Sequence, residues 1–326
     1  MSWHAPGSTR GFRFLGLLFA LAPLATAAEL ELSLPLDCTL GETCFLQALF
    51  DHDPTEAAVD YACGTLTRDT HGGTDFALRD MAAMRAGVDV LAASPGVVQG
   101  TRDRHADIMA TDPAANFGEE KCGNGVAIRH GDGWVTQYCH MKLGSIAVEE
   151  GDVVEAGTPL GEVGLSGLTT FPHLHFSLFK DGTDVDPFAA NFTQCGDAQT
   201  SLWQADITPA PAGFLKMGFA RGAPDFEAMK DDLQSVETLS QTAPIVIWVS
   251  GYGARAGDIL DIRITHPAGT FHERTEVMER RQEVWQRFSG RRYTDTPWPR
   301  GPYTATLTYA RDGATLAEQS LTVSIP

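Results

Sequence analysis

Between about residues 63 and 190, glycines cut the chain into short apolar runs, and this punctuation limits the fold more than any other feature. The clearest run is "GVAIRHGDGWVTQYCH", residues 125–140. Val126 and Ile128 alternate with Ala127 and Arg129, "HGDG" supplies a polar turn, and Trp134, Thr136 and Tyr138 then share one face. A period of two on both sides of a turn predicts paired strands. "GSIAVEEGDVVEAGTPLGEVG" (144–164) continues in the same style. "FALRDMAAMRAG" has helical composition, enough for a turn or two. Residues 101–121 are polar and unpatterned and read as a long loop, which inside a compact domain is more often functional than idle.

A mainly β chain of two domains follows. Residues 29–62 form an apolar and acidic lead-in, 63–190 the glycine-punctuated antiparallel domain, and 191–213 a linker ending in the stiff "PAPAG". Residues 214–326 form a second β-rich domain. There "DFEAMKDDLQSV" predicts a helix with Phe226, Met229, Leu233 and Val236 on one face. Tyr303, Ala305, Leu307 and Tyr309 alternate with threonines, "RDG" turns the chain, and Leu321, Val323 and Ile325 alternate again. That is a hairpin with one buried face, and a small β-sandwich is its natural setting. "FHERTEVMERRQEVWQRF" is compatible with helix or strand. His266 and His272 read as surface residues, and this domain offers no catalytic constellation.

Residues 1–28 have the order of a signal peptide: Arg10 and Arg13, an apolar run from Phe14 to Leu24, then small residues at Ala25, Ala27 and Ala28. The run is short for a membrane anchor, no cysteine marks a lipoprotein, and no later stretch is long enough to span a bilayer. Export to a periplasm or the outside is the expectation, with no stable membrane association after cleavage. The net charge of −18 argues against nucleic-acid or anionic-membrane partners, which need basic patches. The six cysteines, Cys38, Cys44, Cys63, Cys122, Cys139 and Cys195, are even in number and lack any CxxC spacing, so disulfides are expected rather than a thiolate metal site. Cys122 and Cys139 flank the two strand-like runs around "HGDG" and are the best pair; the other pairings stay open.

Histidines carry the functional signal. In "HGGTD", His71 and Asp75 are separated by two glycines that would cost a helix about 2 kcal/mol relative to alanine, so a turn entering the strand "DFAL" fits better. Such a turn can aim the imidazole and the carboxylate at one spot. In "FPHLHF", His173 and His175 lie at i, i+2 on a strand and project from one face, with Leu174 and Phe176 on the other. Two neighbouring imidazoles are costly as core filling, because each needs partners. His140 ends the strand that carries Tyr138. His52, His105 and His130 sit in loop or turn contexts and receive no role, although Asp51 and Asp53 flank His52.

A catalytic zinc takes three ligands from His, Asp or Glu and leaves a fourth position to water. His71, Asp75 and His175 would supply two neutral nitrogens and one carboxylate, a zinc site of net charge +1. His140 and His173 are then left to handle the proton of the attacking water and the oxyanion.

"HGGTD", "YCH" and "GDVVEAGTPLGEVGLSGLTTFPHLHF", in this order and at these separations, resemble the lysostaphin/LytM-type zinc metallopeptidases, also called the β-lytic metallopeptidase family. The resemblance covers about residues 63–190. It implies an antiparallel β-sheet with a groove, the duplicated hybrid motif, and one zinc ion per chain. It further implies cleavage of peptide cross-links in peptidoglycan. By the same resemblance His71, Asp75 and His175 match the zinc ligands, and His140 and His173 the pair that assists the water. One position departs: the family commonly has glycine before the proline of the P-H-L-H segment, and this chain has Phe171, whose ring beside the metal would narrow the groove.

Two other classes compete. Members of the family that have lost ligands bind the wall or activate amidases without catalysis, but all five site residues stand here. "GDVVEAGTPLGEVG" also resembles half of a biotinyl or lipoyl carrier, yet it offers no lysine at a hairpin tip.

Overall fold

The computed structural model describes residues 30–110 and 118–326; the expected export segment and part of the polar loop at 101–121 lie outside the described residues. The molecule is mainly β. In chain order the N-terminal part carries β1 (Cys44–Ala48), β2 (Thr74–Leu78), α1 (Met81–Ala86), β3 (Asp89–Leu91), β4 (Gly96–Arg102), β5 (Asn124–Arg129) and β6 (Trp134–Met141). It continues with β7 (Val153–Val154), β8 (Pro159–Glu162), β9 (His173–Lys180) and β10 (Thr183–Val185). Seven of these strands form one antiparallel sheet in the order β1-β2-β9-β6-β5-β4-β7, with β10 also paired to β9 and with β3 and β8 paired separately.

One face of the sheet is the core. Phe76, Leu78, Tyr138, Leu174 and Phe176 are buried there, and Trp203 packs edge-on against Phe76. Leu32, Leu36, Leu46 and Leu49, from the lead-in, belong to the same core, and β1 lies within that lead-in. The other face carries Asp75 opposite His175, with Ala77 opposite His173 and His175 opposite Cys139. Cys122 and Cys139 are bonded as expected, and Cys38–Cys44 and Cys63–Cys195 complete the set.

The C-terminal part carries β11 (Gly213–Ala220), α2 (Phe226–Lys230), β12 (Ile245–Ala254), β13 (Ile259–His266), β14 (Gly269–Val277), β15 (Gln282–Arg291), β16 (Gly301–Arg311) and β17 (Ala314–Ile325). Two sheets, β11-β12-β15 and β14-β13-β16-β17, enclose a core that includes Ile247, Val249 and Trp285 from one and Ile262, Tyr303 and Leu307 from the other. The segment left open between helix and strand is β14 and β15. Asp312 (φ 50°) and Gly313 (φ 81°) make the β16–β17 turn, the left-handed pair that a two-residue hairpin requires.

The helix expected over 226–236 is cut short. α2 ends at Lys230, with Met229 buried and Phe226 exposed. Asp231 leaves helical geometry, and the Val236 N–H is taken by the Phe219 carbonyl of β11 at 2.9 Å. A bond to a neighbouring strand has outweighed continuation of a short helix rich in aspartate, a poor helix former.

Phe45, Ala77 and Phe171 from the first part meet Leu215, Tyr252 and Val284 from the second in an apolar cluster, with the Phe45 and Tyr252 rings 4.5 Å apart. Lys216 Nζ donates to Asp80 Oδ2 at 2.7 Å beside it. The expectation that Phe171 narrows the groove is thereby corrected. Its ring is spent on this cluster and does not line the cleft at His71, His140 and His175.

Candidate metal centre

The turn "HGGTD" delivers its two polar side chains to one point. His71 Nε2 is 3.0 Å from Asp75 Oδ1 and 3.1 Å from His175 Nδ1, and His175 Nδ1 is 2.7 Å from the same oxygen. Gly73 is needed for this closeness. A Cβ there would stand 2.6 Å from the Phe176 carbonyl oxygen and 2.8 Å from the His175 ring.

The outer partners fix which atoms face inward. His71 Nδ1 donates to the Leu49 carbonyl at 2.6 Å, so in the neutral ring Nε2 keeps its lone pair. His140 Nδ1 donates to the Ser166 carbonyl at 2.8 Å, and His173 Nδ1 to the Phe171 carbonyl at 2.8 Å. Each therefore also points an Nε2 lone pair away from its carbonyl. His175 Nε2 lies 3.0 Å from Ser177 Oγ, an acceptor ready for its proton when Nδ1 is engaged as a ligand. Arg68 donates to the outer oxygen of Asp75, Oδ2, at 2.7 Å.

His140 reaches the site through a bulge. By alternation it belongs with Tyr138 on the core face. Register slips between β5 and β6, where Asn124 faces Met141 and Gly125 faces Cys139, so His140 has no cross-strand partner. Its φ of 64° turns the ring over, to a centroid distance of 4.7 Å from His173 and 6.0 Å from His175. Bulges recur beside active sites because they re-aim side chains in this way.

The donor set fits a divalent cation. The ligand atoms of His71, Asp75 and His175 lie within 4.8 Å of one another, and all three can be electron-pair donors at once. His173 Nε2 is buried without a hydrogen-bond partner among the described residues, 3.6 Å from Asp75 Oδ1. Converging lone pairs and an orphaned buried nitrogen are costly in a site without a cation or water. Two imidazoles and one carboxylate are a zinc-type ligand set with room for a further ligand.

The charge states agree with this. Burial opposes charge on Asp75, but Arg68 and the surrounding histidines outweigh it and hold the carboxyl well below the ordinary carboxylate range. Burial, reinforced by His173 and His175, holds His140 well below the usual imidazole range, so it stays a neutral base. Burial also lowers His175, against the pull of Asp75.

A cleft of about 530 Å³ opens beside these residues, lined also by Arg68, Arg102, Lys121 and Leu168. Past Arg102, Cys122 and Gln137 it continues into a hollow of about 420 Å³ over β4, β5 and β6. Two of the other histidines are engaged elsewhere. His52 Nε2 meets Asp186 Oδ2 at 2.8 Å, and His130 bridges the Pro95 carbonyl and Thr136 Oγ1. Sequence reasoning missed Arg68 and Ser177. Ser177 follows His173 and His175 on one strand face, a pattern that could have found it; Arg68 has no such spacing signal.

Residues 69–187 match the family described as Peptidase family M23, and that segment is an M23 peptidase domain of the LytM type. The peptidoglycan DD-endopeptidase ShyA of Vibrio cholerae is 36% identical over 121 residues, covering 37% of this chain and 23% of that protein. The DD-carboxypeptidase/endopeptidase Mpg of Neisseria meningitidis is 43% identical over 65 residues, covering 20% of this chain and 14% of that protein. The chain thus spans less than a quarter of the length of these curated relatives. Among solved structures, a mutant catalytic domain of the prophage-encoded M23 protein EnpA from Enterococcus faecalis aligns at 25% identity. The alignment covers 46% of this chain and 92% of that one, with a TM-score of 0.33.

Proposed function

We propose that this chain is an exported zinc metalloendopeptidase that hydrolyses peptide cross-links of peptidoglycan. The observation that carries the reading is the convergence of His71 Nε2, Asp75 Oδ1 and His175 Nδ1 within 3.1 Å, with the His173 Nε2 atom beside them unpartnered among the described residues. Peptidase family M23 and the endopeptidase relatives support peptide-bond hydrolysis. The names of those relatives support peptidoglycan as the substrate.

His71, Asp75 and His175 would hold the ion, and zinc there supplies a Lewis acid that acidifies water and polarises the scissile carbonyl. The chain's own residues do the rest. His140, kept neutral by burial, offers Nε2 to accept the proton of the attacking water. His173 presents Nε2 on the same side, its ring fixed by the Phe171 carbonyl and Thr169 Oγ1. Once protonated, either ring can donate to the oxyanion or to the leaving amine. Arg102 and Lys121 line the cleft and suit an extended peptide that carries carboxylates. Three disulfides and no free cysteine among the described residues suit an oxidising compartment, which supports export.

The test is to incubate residues 29–326 with purified peptidoglycan and zinc, beside His175→Ala, and follow released muropeptides by mass spectrometry. Cleavage by the wild type alone is expected, and the fragment masses name the bond. Wall binding without cleavage by either protein would replace this reading with a non-catalytic one.

A further inference from the structure

The carboxylate of Asp75 is tied to the second domain through a single guanidinium nitrogen. Arg68 Nη1 lies 2.7 Å from Asp75 Oδ2 and 3.5 Å from Oε1 of Glu283, a β15 residue of the C-terminal domain. Glu283 is itself held, since its Oε2 accepts from Gln47 Nε2 at 3.1 Å. Gln47 is the extra residue of a β1 bulge, where Leu46 pairs with Phe76 and Ala48 with Asp75. The apolar contact of Val284 with the Phe45–Phe171–Tyr252 cluster seats the start of β15 against the first domain at this point. Arg68 and Glu283 both lie outside the M23 match at residues 69–187.

We propose that Glu283 is a positioning residue of the metal centre, so that the C-terminal domain is a built part of the site and not only an appendage. The inference rests on the metal reading above but not on the identity of the substrate. Loss of Glu283 has two alternative consequences, and each disturbs the site: Arg68 leaves Asp75 unoriented, or it stays with its charge uncompensated. Arg68 has a third of its side chain in water, and an anion on each side keeps it from swinging away from Asp75. An uncompensated guanidinium would also draw electron density from the one anionic ligand and repel a cation beside it. Glu283 offsets that charge and leaves Asp75 available to the metal. Partners of this kind set ligand orientation and basicity, and direct ones change metal affinity by about 10–100-fold when removed.

The test is zinc affinity by competition with a chromophoric chelator, on residues 29–326, for wild type, Glu283→Gln, Arg68→Gln and the double variant. Glu283→Gln preserves shape and the contact to Gln47. It should weaken zinc binding about three- to tenfold, one layer short of the direct-partner range. In the Arg68→Gln background the same change should alter affinity by less than about twofold, because coupled residues are non-additive. Thermal unfolding of the chelated proteins separates a merely adhesive role. A lower midpoint with unchanged zinc affinity would overturn the proposal, as would equal losses in both backgrounds. If the wild type bound no zinc, the metal reading itself would fall, an outcome distinct from a normal wild type with an unaffected Glu283→Gln.

Discussion

Among the described residues, the N-terminal and the C-terminal β parts each bury an aspartate against an arginine, and the two pairs are built to opposite ends. In the C-terminal sandwich Asp258 receives Arg311 on both oxygens at 2.8 Å, Tyr309 Oη at 2.7 Å and the Arg255 N–H at 2.8 Å. Its partners are all donors, so the carboxylate is satisfied by the protein alone. In the M23 domain Asp75 gives one oxygen to Arg68 and turns the other to His71, His173 and His175. Those rings hold their protons on outward carbonyls, except His175, and leave a surplus of acceptors. Buried polar groups are normally paired. The satisfied cluster therefore marks structure, and the unsatisfied one marks a place for something the chain does not itself provide.

The sharpest way to break this contrast is to truncate one member of each cluster. His175→Ala should reduce hydrolysis by at least about a thousandfold, the scale of losing a catalytic group. It should leave the chelated protein's stability nearly unchanged, because it removes one of several crowded acceptors. Asp258→Ala should do the reverse, costing about 3–5 kcal/mol by stranding Arg311, with zinc affinity untouched. Rate assays and denaturant unfolding of both proteins decide it.

A second comparison lies within the site. His140→Ala should lower kcat by about 10²–10⁴-fold while zinc still binds one per chain, as for loss of a general base and not of a ligand. Loss of zinc would make His140 a ligand and undo the assignment.

The smallest effect is in acid. Burial opposes charge on Asp258, but Arg311 and Tyr309 together hold its folded value below the ordinary one. A depressed carboxyl contributes stability that is fully present above the unfolded value of about 3.9 and is lost as pH falls through the folded value. Denaturation of the chelated protein below about pH 4 should therefore be less steep with pH in Asp258→Asn than in wild type. Equal slopes would mean that the pair stores no proton-linked stability.

Much of this was legible in the chain. The period-two runs gave the strands, the "RDG" turn gave the last hairpin, and the residue spacing brought out His71, Asp75, His173 and His175. What escaped depends on long-range register. The ring of His140 points the right way only because β6 carries a bulge, which no local pattern announces. Arg68 and Glu283 are far apart in sequence and meet only because β15 lies against the first domain. The lead-in reads as separate because the alternation of Leu30, Leu32, Leu34 and Leu36 does not say what it packs on, yet β1 pairs with β2 and closes one end of the sheet. Phe171 read as a groove residue from its neighbours in sequence, and the apolar cluster between the domains claimed it instead.

The most direct measurement is a zinc titration of chelator-treated residues 29–326, read by calorimetry together with peptide-bond cleavage. Heat and activity should both saturate at one equivalent per chain, and Asp75→Asn should lose both. Full cleavage by the metal-free protein, or saturation unaffected by Asp75→Asn, would contradict the assignment of His71, Asp75 and His175 as the catalytic metal centre.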